Sequence, residues 1–329
     1  MSFPALLLTK QDQTVKAELT QLTSNDLPEG DVLVALSHST LNFKDGLAIT
    51  NRSPVVRTWP MVAGIDGAGV VLESTNPRWQ AGDRVLVNGW GLGETRWGCL
   101  AGQLRVPGEY LVAIPDSMTS HDSMAIGTAG YTAMLSVLAL EQQGISPSSG
   151  PVLVTGATGG VGSVAVAILA KLGYQVTAVT GKASEHDYLT QLGAAAILPR
   201  EQFSVAGKPL QKEQWAAVVD CVGSHTLVNA CAQTRYGGVV TSCGLAQGMD
   251  LPATVMPFIL RAVRLIGVDS VMAPMSLRQV AWQRLAYDLT PEALSLITAA
   301  TISLAQAPQY AEQLMSGQIR GRVVVEISQ

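Results

Sequence analysis

Three polar side chains stand together in LNFKDGLA, residues 41–48, a short stretch that is otherwise apolar. Asn42, Lys44 and Asp45 follow an alternating apolar segment, DVLVALSH, that is typical of a strand. An amide, an ammonium group and a carboxylate at the end of a strand can form one wall of an active site. They can equally belong to a solvated loop, and both interpretations stay open at this point.

A glycine-rich stretch, VLVTGATGGVGSVAVAILAKLG at residues 152–173, is the second place where the residue types suggest chemistry. It begins like a buried strand, and its later apolar residues recur at the spacing of one helix face. Four glycines stand between the two elements: Gly156, Gly159, Gly160 and Gly162. Glycines there permit a tight turn, the approach of a pyrophosphate to the backbone and close helix–strand packing, while the helix start offers free N–H groups to an anion. The stretch predicts a dinucleotide site, with a purely structural turn as the alternative.

The end of the next predicted strand indicates which dinucleotide binds. An NAD site usually carries an acidic residue there, which binds the ribose 2′-hydroxyl. This strand instead ends in VTAVTGK, with Thr180, Gly181 and Lys182. A hydroxyl and an ammonium group suit a 2′-phosphate, which a carboxylate would repel. We therefore predict NADP(H) as the cofactor. An ordinary solvated lysine is the alternative for Lys182, and Tyr188 is a weaker candidate for the same pocket.

Composition and charge narrow the class of protein. A chain of 329 residues is long for one core and predicts two domains. The net charge of −4 argues against a nucleic-acid partner. Neither a signal peptide nor an apolar run long enough for a bilayer is apparent, so we expect a soluble, cytoplasmic protein with no membrane partner. The cysteines include no CxxC pair and are expected to be free thiols of a reducing compartment: Cys99, Cys221, Cys231 and Cys243.

The hydrophobic pattern of the sequence changes once along the chain. Residues 1–118 show short alternating apolar runs separated by Gly, Pro, Asn and Asp, which predicts an all-β, barrel-like domain. Residues 119–272 alternate strand-like and helical runs, which predicts a doubly wound parallel sheet with helices on both faces. Residues 273–329 contain two helical stretches and a last strand, GRVVVEI. We assign this segment to the β-domain and expect its strand to pair with the first strand of the chain.

A β-domain ahead of a dinucleotide-binding domain resembles the medium-chain dehydrogenase/reductase superfamily over essentially the whole chain. The resemblance implies an α/β protein with a GroES-like catalytic barrel and a Rossmann domain. Alcohol dehydrogenases of that superfamily hold a catalytic zinc ion with Cys, His and Cys. The matching segments here are LNFKD, VAGIDGAG and GTAGYTA, with Asn42, Ile65 and Asp66 in the first two and no cysteine in any of them. Because zinc requires such N and S donors, we predict a zinc-free enzyme.

Longer stretches are similar to a zinc-free, quinone-oxidoreductase-like group that includes NADPH-dependent acrylyl-CoA reductases. They include SHSTLNFKDGLAIT, NGWGLGETRWGCLA, ATVMPFILRAVRLIGVDSVM and GQIRGRVVV. The resemblance implies NADPH-dependent reduction of an activated C=C bond, such as that of an α,β-unsaturated acyl-CoA. Hydride would add to the β-carbon while hydrogen bonds hold the charge on the carbonyl oxygen. NADPH:quinone reduction is the alternative activity, and a non-catalytic NADPH-binding protein is the alternative of another class.

The same resemblance implies the residues that bind the cofactor. They are Phe43, Thr158, Gly159, Gly160, Val161, Thr180, Gly181, Lys182, Cys221, Leu245 and Arg322. The group usually has a tyrosine where this chain has Phe43, so a hydroxyl that could donate a proton or contact a ribose is absent here. The resemblance also implies a homodimer, because members of the family commonly pair through the nucleotide-binding domain. No residue is assigned to a metal.

Asn42 and Asp45 are our candidate catalytic residues, and their roles have alternatives. Asn42 either donates to the substrate carbonyl or the nicotinamide ribose, or it caps the turn at the end of a strand. Asp45 is expected to orient Asn42 or Lys44 and to stay ionised beside Lys44. Asp66 is either a pocket residue or a turn stabiliser. The two tryptophans of GWGLGETRWG either line a pocket or pack a turn.

Overall fold

Contacts within the chain divide it into two units. The computed structural model describes residues 2–12 and 14–327. The first unit comprises the described residues of Met1–Thr128, Ser270–Ala286 and Thr298–Gln329, and the second comprises Ala129–Asp269 and Tyr287–Ile297.

The elements follow one another along the chain in three groups. The first group is β1 (Ser2–Gln11), β2 (Thr14–Thr23), β3 (Val32–Leu41), α1 (Phe43–Ile49), β4 (Met61–Val62), β5 (Asp66–Ser74), β6 (Arg84–Asn88), β7 (Gln103–Val106) and β8 (Val112–Ala113). The second is α2 (Ser120–Gln142), β9 (Val152–Val154), α3 (Gly160–Lys171), β10 (Val176–Thr180), α4 (His186–Gln191), β11 (Ala196–Pro199), β12 (Trp215–Asp220), α5 (Ser224–Gln233), β13 (Thr234–Ser242), α6 (Met256–Arg261) and β14 (Arg264–Gly267). The third is α7 (Met275–Asp288), α8 (Pro291–Ile297), β15 (Thr298–Ser303), α9 (Ala307–Met315) and β16 (Arg322–Glu326).

The first unit is built on two β-sheets, as the alternating apolar runs predict. One sheet has the order β15-β16-β3-β5-β6-β8, with β7 also paired to β3, and the other has the order β2-β1-β4. Antiparallel pairing of β3 with β16 sets Leu41 opposite Val323. The next residues, Asn42 and Arg322, therefore come to the same end of that strand pair.

The prediction that the last strand pairs with the first strand is wrong. β16 lies between β15, to which it is parallel, and β3, to which it is antiparallel. Both edges of β1 are already occupied, since β2 forms a hairpin with it and β4 pairs on its other side. The last two strands, β15 and β16, thus extend the sheet that contains β3 and not the three-stranded sheet that contains β1.

Helix α1 is fixed to the first unit by close packing on α9. A side chain at Gly46 would lie 2.7 Å from the Met315 sulfur, so the two helices approach each other closely only because residue 46 is glycine. Ala48 and Ile49 are buried in the same apolar core, together with Leu41 of β3. The short helix is thereby held in place at the end of β3, where its first turn meets the buried polar residues described below.

The second unit has the doubly wound sheet that the alternation of strands and helices predicts. The strand order is β11-β10-β9-β12-β13-β14, and every adjacent pair is parallel. In this order the chain reverses direction across the sheet between β9 and β12, which is where such sheets bind dinucleotides.

The unit boundaries differ in detail from the predicted domains, 1–118 with 273–329 and 119–272. The first unit runs on to Thr128, and the second unit takes up residues 287–297. The reason for the second difference is that α8 packs against α3, the helix that follows the glycine-rich turn.

Helix α2 contains an interruption that matters for the site. At Gly127 the backbone has φ +52° and ψ −162°, so the helix kinks there. Among the described residues this is the helix long and apolar enough to cross a membrane, yet most of its apolar stretch is buried inside the protein. This burial identifies α2 as a helix of the protein core.

Candidate active site and cofactor site

The stretch LNFKDGLA begins a helix rather than a loop. Asn42 is the N-cap of α1, with an extended backbone at φ −112° and ψ 165°. The Asp45 carboxylate accepts the Asn42 backbone N–H at 2.8 Å and the Ile65 backbone N–H at 3.0 Å. An acidic residue in the first helical turn satisfies N–H groups that the helix leaves without partners. Asn42 and Asp45 are therefore buried and stabilise the N-terminus of helix α1.

Asn42 also joins two buried carboxylates. Its Nδ2 donates to Asp66 at 2.8 Å and to Asp45 at 3.1 Å. A side-chain amide has two N–H hydrogens, and both are used here. In this arrangement Asn42 orients the two acids and has no hydrogen left to donate to a substrate carbonyl.

Asp66 is the centre of this buried network. It is fully buried and accepts from Asn88 Nδ2 at 2.8 Å, from the Thr128 backbone N–H at 2.7 Å and from the Thr128 hydroxyl. Asp66 and Asn88 are direct cross-strand partners in β5 and β6, so the sheet register itself places the donor. We name Asn42, Asp45, Asp66, Asn88, Thr128 and Arg322 the polar hub.

Arg322 contributes the positive charge of the polar hub. Its guanidinium is buried and donates to Thr40 Oγ1 at 2.9 Å, Ala125 O at 3.1 Å and Leu41 O at 3.3 Å. Burial lowers the pKa of Arg322, while the negative charges of Asp66 and Asp45 act in the opposite direction. The residue predicted to contact the cofactor is thus bonded within the first unit, beside the two acids.

Gly127 makes room for the approach of these charges. A side chain at this position would lie 2.7 Å from Arg322 Nη2 and 2.8 Å from Asp66 Oδ2. The positive φ of the residue is a second reason why glycine stands there, because L side chains rarely adopt it. The helix kink and the packing of the polar hub therefore depend on the same residue.

Burial raises the pKa of Asp45 to about 7, and the negative charge of Asp66 adds to the rise, while hydrogen bonds from Asn42 and Ile65 oppose it. The expectation that Lys44 keeps Asp45 ionised is wrong. Lys44 Nζ instead pairs with Glu94 at 2.7 Å. Neighbours in a helix point to different sides, so adjacency in sequence does not bring the two charges together.

The raised pKa of Asp45 predicts an unusual dependence of stability on pH. The unfolded carboxyl ionises near 3.8 and the folded one near 7, so between these values the folded state keeps a proton that unfolding releases. Stability is then greatest at low pH within this window and falls as the pH rises toward 7, by about 2–4 kcal/mol. Denaturation by urea at pH 5 and pH 8 should show this fall in the wild type and much less of it in Asp45→Asn.

Asp116→Asn is the matched control, because it removes an exposed carboxylate of the same unit. It should follow the wild-type curve at both pH values. Parallel curves for the wild type and Asp45→Asn would contradict the raised pKa.

Arg278 is a site-supporting residue that sequence reasoning missed. It is buried, donates to the backbone oxygens of Asn88 at 2.7 Å and Val271 at 2.6 Å, and lies 4.1 Å from the ring of Trp90. Trp90 in turn stacks on Tyr110 with ring centroids 4.7 Å apart. Of the two interpretations of the GWGLGETRWG tryptophans, the structure favours the packed turn for Trp90, whose ring lies against the Arg278 guanidinium that donates to the Asn88 backbone oxygen.

The glycine-rich turn has the geometry that a pyrophosphate requires. Gly156 has φ +59°, and a side chain at Gly162 would lie 2.3 Å from the Gly156 carbonyl oxygen. Helix α3 starts at Gly160 with Gly159 as its N-cap. A Cβ at Gly162 would strike the backbone of the turn, so glycine there permits the close packing of helix and strand that is typical of dinucleotide-binding turns, whose free helix N–H groups face a phosphate.

A second cation lies beside the residues predicted to bind a 2′-phosphate. Thr180 ends β10, and the Lys182 backbone N–H donates to its hydroxyl at 3.0 Å. Arg200 follows β11, the parallel neighbour of β10, and a side chain at Gly181 would lie 2.4 Å from its Nε. Sequence reasoning missed Arg200, although a basic residue directly after the next strand was a usable signal. Arg200 beside Gly181 and Lys182 next to it in sequence provide two basic residues for a dianion, so this end of the site also fits NADP(H).

The other predicted cofactor contacts lie at separate places. Cys221 follows β12 and lies near Gly156, at which a Cβ would be 3.4 Å from the Cys221 Cβ. Leu245 is half-exposed in the loop after β13. Thr158 and Val161 lie in the glycine-rich turn and the first turn of α3. Phe43, the first residue of α1, is 44% exposed in the other unit, so its ring remains available to a ligand.

Comparison with known proteins agrees with this geometry. Residues 28–116 match the alcohol dehydrogenase GroES-like domain, and residues 160–286 match the zinc-binding dehydrogenase family. The probable acrylyl-CoA reductase AcuI of Escherichia coli K12 is 52% identical over 98% of this chain and 99% of its own length. The acrylyl-CoA reductase AcuI of Ruegeria pomeroyi is 47% identical over 99% of each. The crystal structure of the yhdH oxidoreductase of Salmonella enterica in complex with NADP has a TM-score of 0.96, at 51% identity, and covers 99% of this chain and 100% of that one.

A unit built on β-sheets with a GroES-like match and a doubly wound unit with a nucleotide-binding turn together define a class of protein. The chain belongs to the medium-chain dehydrogenase/reductase family, and within it to the quinone-oxidoreductase-like group that includes the acrylyl-CoA reductases. The predicted resemblance and fold class are thereby confirmed. Within residues 2–12 and 14–327 there is no cluster of three or more His, Cys, Asp or Glu side chains suited to a metal ion.

Proposed function

We propose that this protein is an NADPH-dependent, zinc-independent reductase of the activated C=C bond in an α,β-unsaturated acyl-CoA such as acrylyl-CoA. The observation that carries the proposal is the similarity, over nearly the full length of both chains, to two proteins named for acrylyl-CoA reduction. The cofactor assignment rests on the glycine-rich turn and on the cations Lys182 and Arg200 around Gly181.

NADPH, when bound, supplies the hydride that adds to the β-carbon of the acceptor. The chain's own part is to bind and orient. The N–H groups at the start of α3 face the pyrophosphate, and Thr180, Lys182 and Arg200 hold the 2′-phosphate. The exposed ring of Phe43 offers an apolar contact to the cofactor or the acyl group.

Asn42 and Asp45 act in this proposal as positioning residues of the catalytic site. The Asn42 amide donates to both Asp45 and Asp66, which fixes the N-terminus of α1 and the N–H groups that follow it. A Lewis acid is not required for hydride addition to a conjugated acceptor, because the charge that develops on the carbonyl oxygen can be held by hydrogen bonds. The proton that reaches the α-carbon comes in this scheme from water, since Phe43 has no hydroxyl.

The test of the proposed function is a comparison of acceptors with the purified protein. NADPH oxidation should be rapid with acrylyl-CoA and at least about tenfold slower, in kcat/KM, with a small benzoquinone, a difference of about 1.4 kcal/mol in the barrier. Formation of propionyl-CoA should match NADPH consumption. Faster turnover of the quinone would instead assign NADPH:quinone reduction, and tight NADPH binding without oxidation by either acceptor would indicate a binding protein.

We also propose a homodimer formed through the second unit. β14 is an edge strand of the six-stranded sheet, and the neighbouring helix α6 exposes Ile259 at 70% and Leu260 at 56%. An open strand edge beside large exposed apolar side chains is a typical protein interface. The partner that matches such an edge by symmetry is a second copy of the same strand.

A cytoplasmic location is supported by the thiols. All four cysteines are free, and Cys99 and Cys231 are buried in the cores of the two units. Proteins of oxidising compartments usually pair their cysteines. Four unpaired thiols are therefore in keeping with a reducing compartment.

A further inference from the structure

Two cysteines face each other across the carboxyl ends of neighbouring strands. Cys221 follows β12 directly and Cys243 follows β13 directly. The two strands are parallel, with Asp220 opposite Ser242, so the next pair along the register is Cys221 and Cys243. Their sulfur atoms lie 3.9 Å apart.

This separation is close to that of a disulfide. A disulfide has sulfurs at about 2.05 Å, so the two Sγ atoms need to approach by about 2 Å. Rotation of one side chain about χ1 supplies a movement of that size, and the backbone is already placed, because the Cys243 N–H donates to the Asp220 oxygen at 2.9 Å. Cys221 and Cys243 are partly exposed residues, whereas Cys99 and Cys231 are buried, so a small oxidant reaches this pair more readily than the other two thiols.

The other two thiols are unsuited to oxidation. Cys99 and Cys231 are buried. Burial raises the pKa of the Cys99 thiol far above its ordinary range and that of Cys231 to about 12. A thiol reacts with oxidants as the thiolate, so these two stay inert and serve as internal references. The hydrogen bond between the paired thiols, and then burial, also raise the pKa of Cys221, so the closeness of the two sulfurs, rather than their acidity, distinguishes this pair.

The pair lies at the cofactor edge of the sheet. Cys221 is beside Gly156 of the glycine-rich turn, and Gly244 packs so closely that a Cβ there would lie 2.2 Å from the Cys221 oxygen. In doubly wound sheets the dinucleotide binds outside the carboxyl ends of the strands. A bond between the two sulfurs would pull together two strand ends that shape this site.

We propose that Cys221 and Cys243 are a redox modification site, which a hydroperoxide converts to a disulfide that weakens NADPH binding. In the first step one of the two sulfurs attacks the peroxide, the O–O bond breaks, and a sulfenic acid forms with release of one water from hydrogen peroxide. In the second step the other sulfur displaces hydroxide from the sulfenic sulfur, the S–S bond forms and a second water leaves. Two thiols lose two hydrogens in total, and hydrogen peroxide is reduced to two waters. A dithiol reductant reverses the change.

The experiment treats the full-length protein with hydrogen peroxide, with and without NADPH, and then alkylates the remaining thiols. Peptide mass mapping should find Cys221 linked to Cys243, with Cys99 and Cys231 unmodified. The dissociation constant of NADPH should rise at least tenfold on oxidation and return with dithiothreitol. Bound NADPH should slow formation of the linked peptide by a similar factor.

Cys243→Ser and Cys231→Ala are the matched variants. Cys243→Ser should bind NADPH like the reduced wild type and keep that affinity after peroxide and dithiothreitol treatment, whereas Cys231→Ala should respond like the wild type. Absence of the linked peptide, or a linked peptide with unchanged NADPH affinity, overturns the proposal. Only the binding readout rests on the proposed function: failure of the reduced protein to bind NADPH would count against that function, while the mapped disulfide reports on the pair alone.

Discussion

Replacing both Lys182 and Arg200 with alanine is expected to lower kcat/KM for NADPH by on the order of a hundredfold and to leave that for NADH within about twofold. The Arg200 side chain lies against Gly181, and Lys182 is the next residue of the chain, where the 2′-phosphate of the proposed cofactor would lie. NADH has no phosphate at this position, so it loses nothing when the cations are removed. The change therefore separates recognition of the phosphate from general binding of a dinucleotide.

The size of the effect follows from the exposure of the two cations. A hydrogen bond to a charged group contributes about 1.5–3 kcal/mol, and the Arg200 side chain is 69% exposed, so we take the lower end for each. Two such contacts amount to about 3 kcal/mol, which is a hundredfold in binding. Lys182→Ala alone should show about half of this free energy.

Lys208→Ala is the control for this experiment, because it removes an exposed lysine of the same unit that lies away from the strand ends of the site. Its selectivity for NADPH should match the wild type. Equal losses for NADPH and NADH in the double variant would contradict the assignment of these cations to a 2′-phosphate.

Asp66→Ala is expected to destabilise the protein by about 3–5 kcal/mol and to abolish most of the activity. The substitution leaves the buried donors of Asn42, Asn88 and Thr128 without their acceptor, and each unsatisfied donor costs about 1–3 kcal/mol. Part of the loss is recovered, because removal of the Asp66 charge lets Asp45 ionise more easily beside Arg322. Thermal and urea denaturation would measure the stability, and NADPH oxidation would measure the activity.

The same variant changes the pH dependence in a way that simple misfolding would not. The repulsion from Asp66 is one of the causes that raise the pKa of Asp45. Without it the pKa of Asp45 falls, so the loss of stability with rising pH should be smaller than in the wild type and should be complete at a lower pH. Asp116→Ala serves as the control, and a destabilisation of Asp66→Ala below about 1 kcal/mol would contradict the central place of Asp66 in the polar hub.

Much of the fold could be predicted from local patterns. The period of two in the first third of the chain and the alternation after it identify the two units, because each pattern comes from burial of one face of an element. Helix α1 escaped prediction, since seven residues are too few to show a helical period. The position of β16 also escaped, because pairing depends on which strand edges are already occupied.

The two sites differed in how far they could be predicted. The glycine-rich turn is a local motif, and the spacing of its glycines can be recognised within residues 152–163. The polar hub joins residues 42, 45, 66, 88, 128 and 322, which no spacing connects. The pairing of β3 with β16 and β5, the pairing of β5 with β6 and the kink in α2 bring these residues together. The error about Lys44 has the same origin, since its charge partner Glu94 is 50 positions away.

Asn42 has two structural roles, and together they restrict which residues can replace it, in the laboratory or in evolution. Residue 42 must start a helix and hold two acids, and few side chains do the first of these well: aspartate, serine, threonine and glycine besides asparagine. Position 43 carries neither task, because its side chain points outward from the first helical turn and 44% of it is exposed. Variation in acceptor range should therefore accumulate at position 43 and its surroundings, while position 42 stays nearly fixed.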